Sequence, residues 1–211
     1  MLQVNIGFLL SHFIRYNVVM RVIAGTAKGK RLKAVPKDTT RPITDRTKEA
    51  LFSILGNWII DARVLDLFGG TGAVGIEALS RGAAHVTFID ANSAATRTVG
   101  ENLRMTKLAD RAYVKRSDAF KFLKQPPADL QPFDLIYVAP PQYKEMWVEA
   151  IRFIDEHLDQ WLLPDGAVIA QIHPIEFQEL DLHHLTLYDE RKYGSTLLCF
   201  YERAEVEREQ R

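Results

Sequence analysis

The feature that most constrains the fold is a short apolar run that leads into a glycine-rich turn and then into a helical pattern. The run is Val64-Leu-Asp-Leu-Phe-Gly-Gly-Thr-Gly-Ala-Val-Gly75. Gly70, Gly72 and Gly75 lack a Cβ atom, so the backbone can turn sharply, approach a ligand closely and pack the helix against a sheet. This pattern predicts a strand, a loop and a helix that together bind a nucleotide-like cofactor.

The acid at the end of this first strand narrows the choice of ligand. In dinucleotide-binding proteins the helix N-terminus faces a pyrophosphate, and a carboxylate just before the turn would repel it. Asp66 therefore argues against a phosphate and favours a cationic ligand. S-adenosylmethionine carries an ammonium and a sulfonium group and no phosphate. The alternative is that Asp66 only caps the turn.

Two later strand-like runs also end in an acid. Asp90 ends the run from Ala84, about 20 residues beyond the loop, where an acid can accept both ribose hydroxyls. Asp118 ends the run from Ala112 and could accept the adenine amino group, although a helix N-cap is an equal alternative. The predicted cofactor-binding residues are Asp66, Phe68, Gly70, Gly72, Asp90 and Asp118.

Composition limits the class of protein. The chain has 211 residues with 47% hydrophobic content, which suits one domain with a substantial core. The formal net charge is zero, unlike that of a dedicated nucleic-acid binder, so any such role must depend on a local excess of charge. That excess exists between Arg21 and Lys48, where Asp38 and Asp45 are the only acids. The basic residues there are Arg21, Lys28, Lys30, Arg31, Lys33, Lys37, Arg41, Arg46 and Lys48.

Cysteine and histidine give no sign of a disulfide framework or a metal site. The single cysteine, Cys199, lies in an apolar run and is expected to be a buried structural thiol. His183 and His184 are adjacent, and neighbouring residues on a strand point to opposite faces. We therefore predict no metal site.

The two ends of the chain are expected to lie outside the main domain. Residues 1–19 are predicted to be an upstream extension, because their apolar run is too short to span a membrane and lacks the features of a signal peptide. The main domain is expected to cover residues 20–203 and to begin with a basic ribbon at 20–40. Residues 204–211 are expected to be a charged, solvated tail.

The pattern along the main domain predicts an α/β fold. Two short runs, 21–24 and 30–35, predict a basic β-hairpin, and a helix capped by Thr44 or Asp45 should end near Gly56. From Arg63 onward strands and helices alternate, as in a doubly wound sheet, with 133–138 as a central strand. A long helix over 144–162, a strand over 167–172 and an antiparallel pair at 185–191 and 196–202 should complete it.

The order of these motifs resembles the RsmD family, the bacterial methyltransferases that act on guanine N2 of small-subunit ribosomal RNA. The resemblance runs from Met20 to about Arg203. It is carried by Met20-Arg-Val-Ile-Ala-Gly-Thr-Ala-Lys-Gly-Lys-Arg-Leu32, Thr40-Arg-Pro-Ile-Thr-Asp-Arg-Thr-Lys-Glu-Ala-Leu-Phe52, the glycine loop with its helix to Gly82, Asn102-Leu103, Phe133-Asp-Leu-Ile136 and Tyr193-Gly-Ser-Thr196.

The resemblance implies a Rossmann-like S-adenosylmethionine-dependent methyltransferase. Its fold would be a mostly parallel seven-stranded sheet with an antiparallel C-terminal strand and a small N-terminal β-ribbon. The ribbon would lie near RNA, in ribosomal RNA or an assembly intermediate of the small subunit, and the protein would be cytoplasmic with no membrane partner. The sequence does not determine the oligomeric state, and we favour a monomer. The expected phosphate contacts are Arg21, Lys28, Lys30, Arg31 and Arg41. A solvated basic face is the alternative.

The resemblance also implies a catalytic signature after the central strand: Asp or Asn, two prolines, then Tyr or Phe. The predicted catalytic loop here is Ala139, Pro140, Pro141, Gln142 and Tyr143. The family's acidic or amide side chain accepts a hydrogen bond from the target amine, and Ala139 has no such acceptor. The carbonyl of Pro140 remains, Gln142 could supply an amide oxygen, and Tyr143 could stack on a flipped base.

This departure leaves other functions open. One alternative is an inactive RNA-binding or assembly protein that retains the fold, and another is a methyltransferase with a different acceptor. A nicotinamide oxidoreductase is the least favoured, because Asp66 disfavours a pyrophosphate.

Overall fold

A central sheet organises the protein in the computed structural model, which describes residues 20–36, 43–142 and 145–205. In chain order its strands are β1 (Arg63–Asp66), β2 (His85–Asp90), β3 (Ala112–Arg116), β4 (Phe133–Val138), β5 (Leu162–Ile172), β6 (Leu185–Tyr193) and β7 (Thr196–Arg203). Within the described residues the sheet has seven strands in the order β3-β2-β1-β4-β5-β7-β6. Strands β1 to β5 are parallel, and β7 is antiparallel to β5 and β6. The predicted α/β sheet and its antiparallel closing pair are confirmed.

Six α-helices lie between or before these strands in the described ranges. They are α1 (Asp45–Leu55), α2 (Ala73–Ser80), α3 (Ser93–Thr106), α4 (Ala119–Lys124), α5 (Met146–Glu156) and α6 (Leu158–Trp161). Short 3₁₀ segments cover Gly56–Ile59, Ala109–Arg111 and Pro174–Glu176. The predicted cap of α1 is confirmed, because the Thr44 side chain accepts from the Thr47 N–H and Gly56 ends the helix with φ +52°.

The strand order places a topological switch point beside β1. Strand β1 lies between β2 and β4, so the chain winds outward from β1 in one direction and from β4 in the other. Ligands of open α/β sheets bind outside the carboxyl ends of the strands at such a point. Strand β4 is the middle strand of the sheet and is almost wholly buried, as predicted.

Alternate residues of the strands face two separate cores. Val64, Leu135 and Ile169 belong to the core beneath α1, α2, α3 and the N-terminal ribbon. Their neighbours in sequence, such as Leu65 and Ile136, belong to the core beneath α4, α5 and α6. This alternation is the pattern expected for a sheet that is covered on both faces.

The basic ribbon is a hairpin with a very short ladder. One antiparallel bridge joins Arg21 to Arg31, and the Leu32 N–H donates to the Met20 carbonyl at 2.8 Å. The hairpin packs closely on the end of α2, since a Cβ atom at Gly25 would lie 1.8 Å from the Ser80 carbonyl oxygen. The predicted hairpin is therefore confirmed, with tertiary contacts in place of a longer ladder.

The prediction of one long helix over 144–162 is wrong. Helix α5 ends at Glu156, and His157 has φ −125° and ψ 34°, outside the helical range. Strand β5 then begins at Leu162, earlier than the predicted 167, because Leu162 already pairs with Phe133. A register shift between Phe133 and Leu135 follows, at the level where Pro164 and Gly166 interrupt the apolar sequence of β5. Five apolar side chains recur at helical spacing along α5 and α6 and are all buried: Trp147, Ile151, Ile154, Leu158 and Trp161.

No helix in the described ranges is long and apolar enough to cross a bilayer.

Cys199 is buried, and burial raises the pKa of its thiol to about 12, so it stays protonated as a structural residue should. Residues 1–19 and 206–211, which hold the predicted extension and most of the predicted tail, lie outside the described residues.

Candidate functional site

The glycine loop after β1 forms the floor of the candidate site. Gly70 and Gly72 have positive φ angles of +52° and +77°, which residues with a side chain rarely adopt. Gly75 is needed for a different reason, because a Cβ atom there would lie 2.3 Å from Cε1 of Phe88 on β2. The three glycines thus allow the turn and the close packing of α2 on the sheet, as the sequence predicted.

Asp66 is buried at the end of β1 and is hydrogen-bonded to the first turn of α2. Its Oδ2 accepts a hydrogen bond from the Gly75 N–H at 3.3 Å, and the residue is 2% exposed. Burial raises the pKa of Asp66 to about 7, the Gly75 N–H opposes that rise, and the nearby charge of Asp90 adds to it. The capping role considered for Asp66 is therefore present, and its contact with a cationic ligand stays a prediction.

Asp90 fixes the loop from the neighbouring strand. Its Oδ2 accepts from the Gly70 N–H and its Oδ1 from the Asn92 N–H, both at 2.8 Å. Asn92 in turn caps α3 by accepting from the Ala94 N–H. Asp90 thus joins the glycine loop to the start of α3 at the carboxyl end of β2. Each of its oxygens has a second lone pair that a ligand hydroxyl could use.

The other two predicted cofactor residues lie beside α4. Asp118 is exposed and caps α4, since its Oδ1 accepts from the Lys121 N–H at 2.9 Å. Phe68 is half-buried and makes an edge-to-face contact with Phe120, their ring centroids 6.5 Å apart. Phe120 adds an apolar wall that sequence reasoning did not single out. The adenine contact of Asp118 remains a prediction.

The loop after β4 lies two strands from β2. Ala139, Pro140 and Pro141 are half-buried and Gln142 is exposed, whereas Tyr143 lies outside the described residues. Ala139 packs against the core beneath α1 to α3. Its methyl group supplies no polar contact, as its residue type dictates.

A partly buried polar pair adjoins this loop and was missed from the sequence. The Tyr137 hydroxyl donates to Oε1 of Gln171 at 2.5 Å. Tyr137 is 2% exposed, and its burial, with the nearby charge of Asp66, raises its pKa well above the usual value. Because Val138 pairs with Ala170, Gln171 lies on β5 at the level of Ala139. The sequence signal for this pair was Gln171, a polar residue near the end of the apolar strand β5.

The basic ribbon presents four of the five predicted phosphate-binding residues. Arg21, Lys28, Lys30 and Arg31 are all exposed. Arg21 also pairs with Asp45 across 2.9 Å, which reduces its availability. Arg41 lies outside the described residues.

Lys48 does not belong to this exposed charge, although it was counted with it. It is 1% exposed, donates to the Arg21 carbonyl and lies 3.5 Å from Glu77. Burial lowers the pKa of Lys48, and the negative charge of Glu77 opposes that fall. Helical spacing explains why Lys48 is buried, since it lies on the same side of α1 as Leu51 and Phe52.

Glu77 is the second buried charge that sequence reasoning missed. It is fully buried in α2 and accepts from the Ile23 and Ala24 N–H groups at 2.7 and 2.9 Å. It also pairs with Arg81 at 2.8 Å. A lone acid among the apolar residues of α2 was the signal that could have identified it.

Metal binding finds no support in the described ranges, where no three His, Cys, Asp or Glu side chains are grouped as ligands would be. Acidic and aromatic side chains lie at and just after the carboxyl ends of β1 to β3, and a basic ribbon is fixed to α1 and α2.

Comparison with known proteins places this architecture in a family. Residues 20–202 match the family described as "Conserved hypothetical protein 95". A Bacillus subtilis protein named "Putative rRNA methyltransferase YlbH" is 39% identical over 186 residues, which are 87% of this chain and 99% of that protein. The Escherichia coli "Ribosomal RNA small subunit methyltransferase D" is 35% identical over 152 residues, 72% of this chain and 74% of that one.

A solved structure agrees with these sequence matches. The Escherichia coli "Putative methyltransferase yhhF" has a TM-score of 0.75 and 33% identity, and the match covers 87% of this chain and 97% of that one. The chain therefore belongs to the family described as "Conserved hypothetical protein 95", which is the RsmD family that its sequence motifs resemble.

Proposed function

We propose that the protein is an S-adenosylmethionine-dependent methyltransferase that acts on the exocyclic N2 of a guanine in small-subunit ribosomal RNA. The observation that carries this proposal is the clamped glycine loop, in which Asp90 holds the Gly70 N–H at the switch point of the sheet. The family relatives named as ribosomal RNA methyltransferases support the substrate. Such a substrate would place the protein in the bacterial cytoplasm.

The residues at the strand ends fit this cofactor in their chemistry. Asp90 has free lone pairs for ribose hydroxyls, and Phe68 with Phe120 offers an apolar edge for a purine. Asp66, once deprotonated, favours a positively charged group near the loop. When bound, the cofactor supplies an electrophilic methyl group, and the protein's part is to hold, orient and desolvate the two reactants.

The basic ribbon supports an RNA substrate. Lys28, Lys30 and Arg31 project from one hairpin whose backbone is fixed to α2 through Glu77 and Ser80. A hairpin held in this way presents its cations at a constant position relative to the glycine loop. Contacts of this kind position a nucleic acid through its phosphates and carry no sequence information.

The target amine needs hydrogen-bond acceptors, because its lone pair is delocalised into the ring. Acceptors for its N–H groups favour the pyramidal form that attacks the methyl group. The carbonyl of Pro140 is one such acceptor, held by a loop whose two prolines have fixed φ angles. Ala139 offers none from its side chain, so we propose a slower reaction than an Asp or Asn at this position would give.

Methyl transfer to unmodified substrate tests the proposal. Small-subunit RNA and intact small subunits from a strain that lacks the gene are incubated with the protein and labelled S-adenosylmethionine. We expect label in guanine N2 of one of these substrates. No incorporation by a protein that binds S-adenosylhomocysteine in calorimetry would reject the methyltransferase function.

Two variants that each replace an aspartate by alanine extend this experiment. Asp90→Ala removes the clamp on Gly70 and the proposed ribose acceptor, and should abolish both binding of S-adenosylhomocysteine and incorporation. Asp129→Ala removes an exposed acid in the loop before β4 and serves as the matched control, with both activities retained. Equal behaviour of the two variants would contradict the assigned cofactor site.

A further inference from the structure

A buried amide joins the basic ribbon directly to the glycine loop. Asn102 lies in α3 and is fully buried. Its Oδ1 accepts from the Lys33 N–H at 2.8 Å, and its Nδ2 donates to the Lys33 carbonyl at 3.1 Å. The same Nδ2 also donates to the Thr71 carbonyl at 2.9 Å. One side chain therefore holds the end of the ribbon and the tip of the loop at once.

Met20 makes a second connection between the same two segments. The Thr71 hydroxyl lies 3.7 Å from the Met20 sulfur, within reach of a weak hydrogen bond. Met20 and Leu32 are joined through their backbones, so both arms of the ribbon reach the loop near Thr71. Thr71 itself stands between Gly70 and Gly72, the two residues of the loop with positive φ.

These contacts require the ribbon and the loop to move together. The Asn102 amide is planar, and its donors and its acceptor are used in a site without water access. Displacing Lys33 or Thr71 alone would leave buried polar groups unpaired, which costs more than the hydrogen bonds contribute when formed. A ligand that fixes the loop therefore also restricts the ribbon.

We propose that Asn102 couples the cofactor loop to the basic ribbon, so that binding of cofactor raises the affinity of the ribbon for the RNA phosphate backbone. Once one ligand has ordered the shared contacts, the second no longer pays that ordering cost. By linkage, RNA raises the affinity for cofactor by the same factor. The inference rests on the proposed function, which assigns the loop to cofactor and the ribbon to RNA.

Calorimetry with S-adenosylhomocysteine, in the presence and absence of unmodified small-subunit RNA, measures this factor. In the wild-type protein we expect RNA to tighten the binding about 5-fold or more, the lower range of allosteric coupling. Asn102→Asp keeps the acceptor for the Lys33 N–H but can donate neither to the Thr71 carbonyl nor to the Lys33 carbonyl. For this variant we expect the factor to fall to about 1, within the same coupling scale.

The matched control is Thr106→Val in the same helix. Thr106 is buried, and its hydroxyl bonds only to carbonyls of α3, at Asn102 and Leu103, in the contacts described. This variant disturbs a buried polar group of α3 without removing a contact to the loop or ribbon, and should keep the wild-type factor. Loss of coupling in both variants would assign the effect to general damage of α3 and overturn the role of Asn102.

Hydrogen exchange provides a second measurement that needs no variant. We expect S-adenosylhomocysteine to slow amide exchange in a peptide covering 20–36 of the wild-type protein, and unchanged exchange there would overturn the proposal. A wild-type coupling factor of 1 with both ligands bound would also overturn it, while leaving the proposed function intact. Absence of S-adenosylhomocysteine binding altogether would instead contradict the proposed function.

Discussion

Single acidic residues at the strand ends hold the candidate site in shape through backbone N–H groups. Asp66 accepts from Gly75, Asp90 from Gly70 and Asn92, and Asp118 from Lys121. Each was predicted as a ligand contact, which stays a prediction, and each makes a structural contact. The two roles are compatible, because a carboxylate has more lone pairs than these bonds use.

The raised pKa of Asp66 has a consequence for stability. The pKa of the Asp66 carboxyl is about 7 in the folded state and 3.8 in the unfolded chain. Between these values the folded state binds more protons, so its stability falls as pH rises, by at most about 1.4 kcal/mol per pH unit. Asp66→Asn replaces the titrating carboxyl by a neutral amide, whose oxygen can still accept the hydrogen bond from the Gly75 N–H.

We therefore expect Asp66→Asn to be increasingly more stable than the wild-type protein as pH rises from 4 towards 7, with a constant difference above about 8. Urea unfolding across this range measures the difference. Other titrating groups are common to both proteins and cancel in the comparison. A difference that does not change with pH would show that Asp66 titrates normally.

Ala139 gives the second prediction for a single residue. Replacing it by Asn supplies a side-chain acceptor for the target amine, and a lost contact of this kind typically costs on the order of 100- to 1000-fold in rate. We expect Ala139→Asn to raise the single-turnover rate of methyl transfer by on the order of 100-fold, with cofactor affinity unchanged. Ala139→Val, which adds bulk without an acceptor, is the control. Similar rates for the two variants would exclude the acceptor as the missing element.

Among the elements, the hairpin of residues 20–36 depends on α1 and α2 more than on its own ladder. Glu77 receives two of its N–H groups, and Ser80 both accepts from Ala27 and donates to Ala24. Lys48 of α1 donates to the Arg21 carbonyl and faces Glu77. The buried pair of Lys48 and Glu77 therefore connects three elements.

Breaking this pair should loosen the hairpin. Glu77→Gln leaves Lys48 buried without its counter-charge, and removal of one partner of a buried pair typically costs about 3–5 kcal/mol. We expect a loss of stability of this order in urea unfolding, and faster cleavage by trypsin within residues 20–36. The double variant Lys48→Met with Glu77→Gln should recover part of the loss. A double variant less stable than Glu77→Gln alone would show that the charge of Lys48 is not the cause.

The elements also show what the sequence could and could not predict. Local signals sufficed for the α1 cap at Thr44, the glycine loop and the central position of β4, because capping groups, glycines and apolar runs act over a few residues. Lys48, Glu77 and Asn102 acquire their roles from partners 27 to 69 residues away, so local patterns could mark the first two as buried but could not identify the partners. The break at His157 was missed because the apolar spacing of α5 continues into α6.

At the scale of the whole molecule, charge is balanced in total and uneven in position. The chain has 27 basic and 27 acidic residues, so a general attraction for RNA is not expected. The ribbon nevertheless presents Lys28, Lys30 and Arg31 together, while acids occupy the strand ends. Binding of RNA should therefore depend on where a positive charge lies and not on the total.

Charge reversal at two separate places tests whether RNA binding depends on the position of the positive charge or on the total charge. The double variant Lys30→Glu, Arg31→Glu changes two exposed cations of the ribbon, and Arg191→Glu, Lys192→Glu changes two exposed cations of β6 by the same net charge. We expect only the ribbon variant to weaken binding of small-subunit RNA, and to reduce the slope of log affinity against log salt by about 1.4 to 1.8 for two lost phosphate contacts. Filter binding between about 50 and 200 mM salt measures both quantities. Affinity for S-adenosylhomocysteine in the absence of RNA should stay unchanged in both variants, which shows that the fold is intact. Equal weakening by the two variants would mean that total charge, and not the ribbon, governs binding, because both variants change the net charge by the same amount.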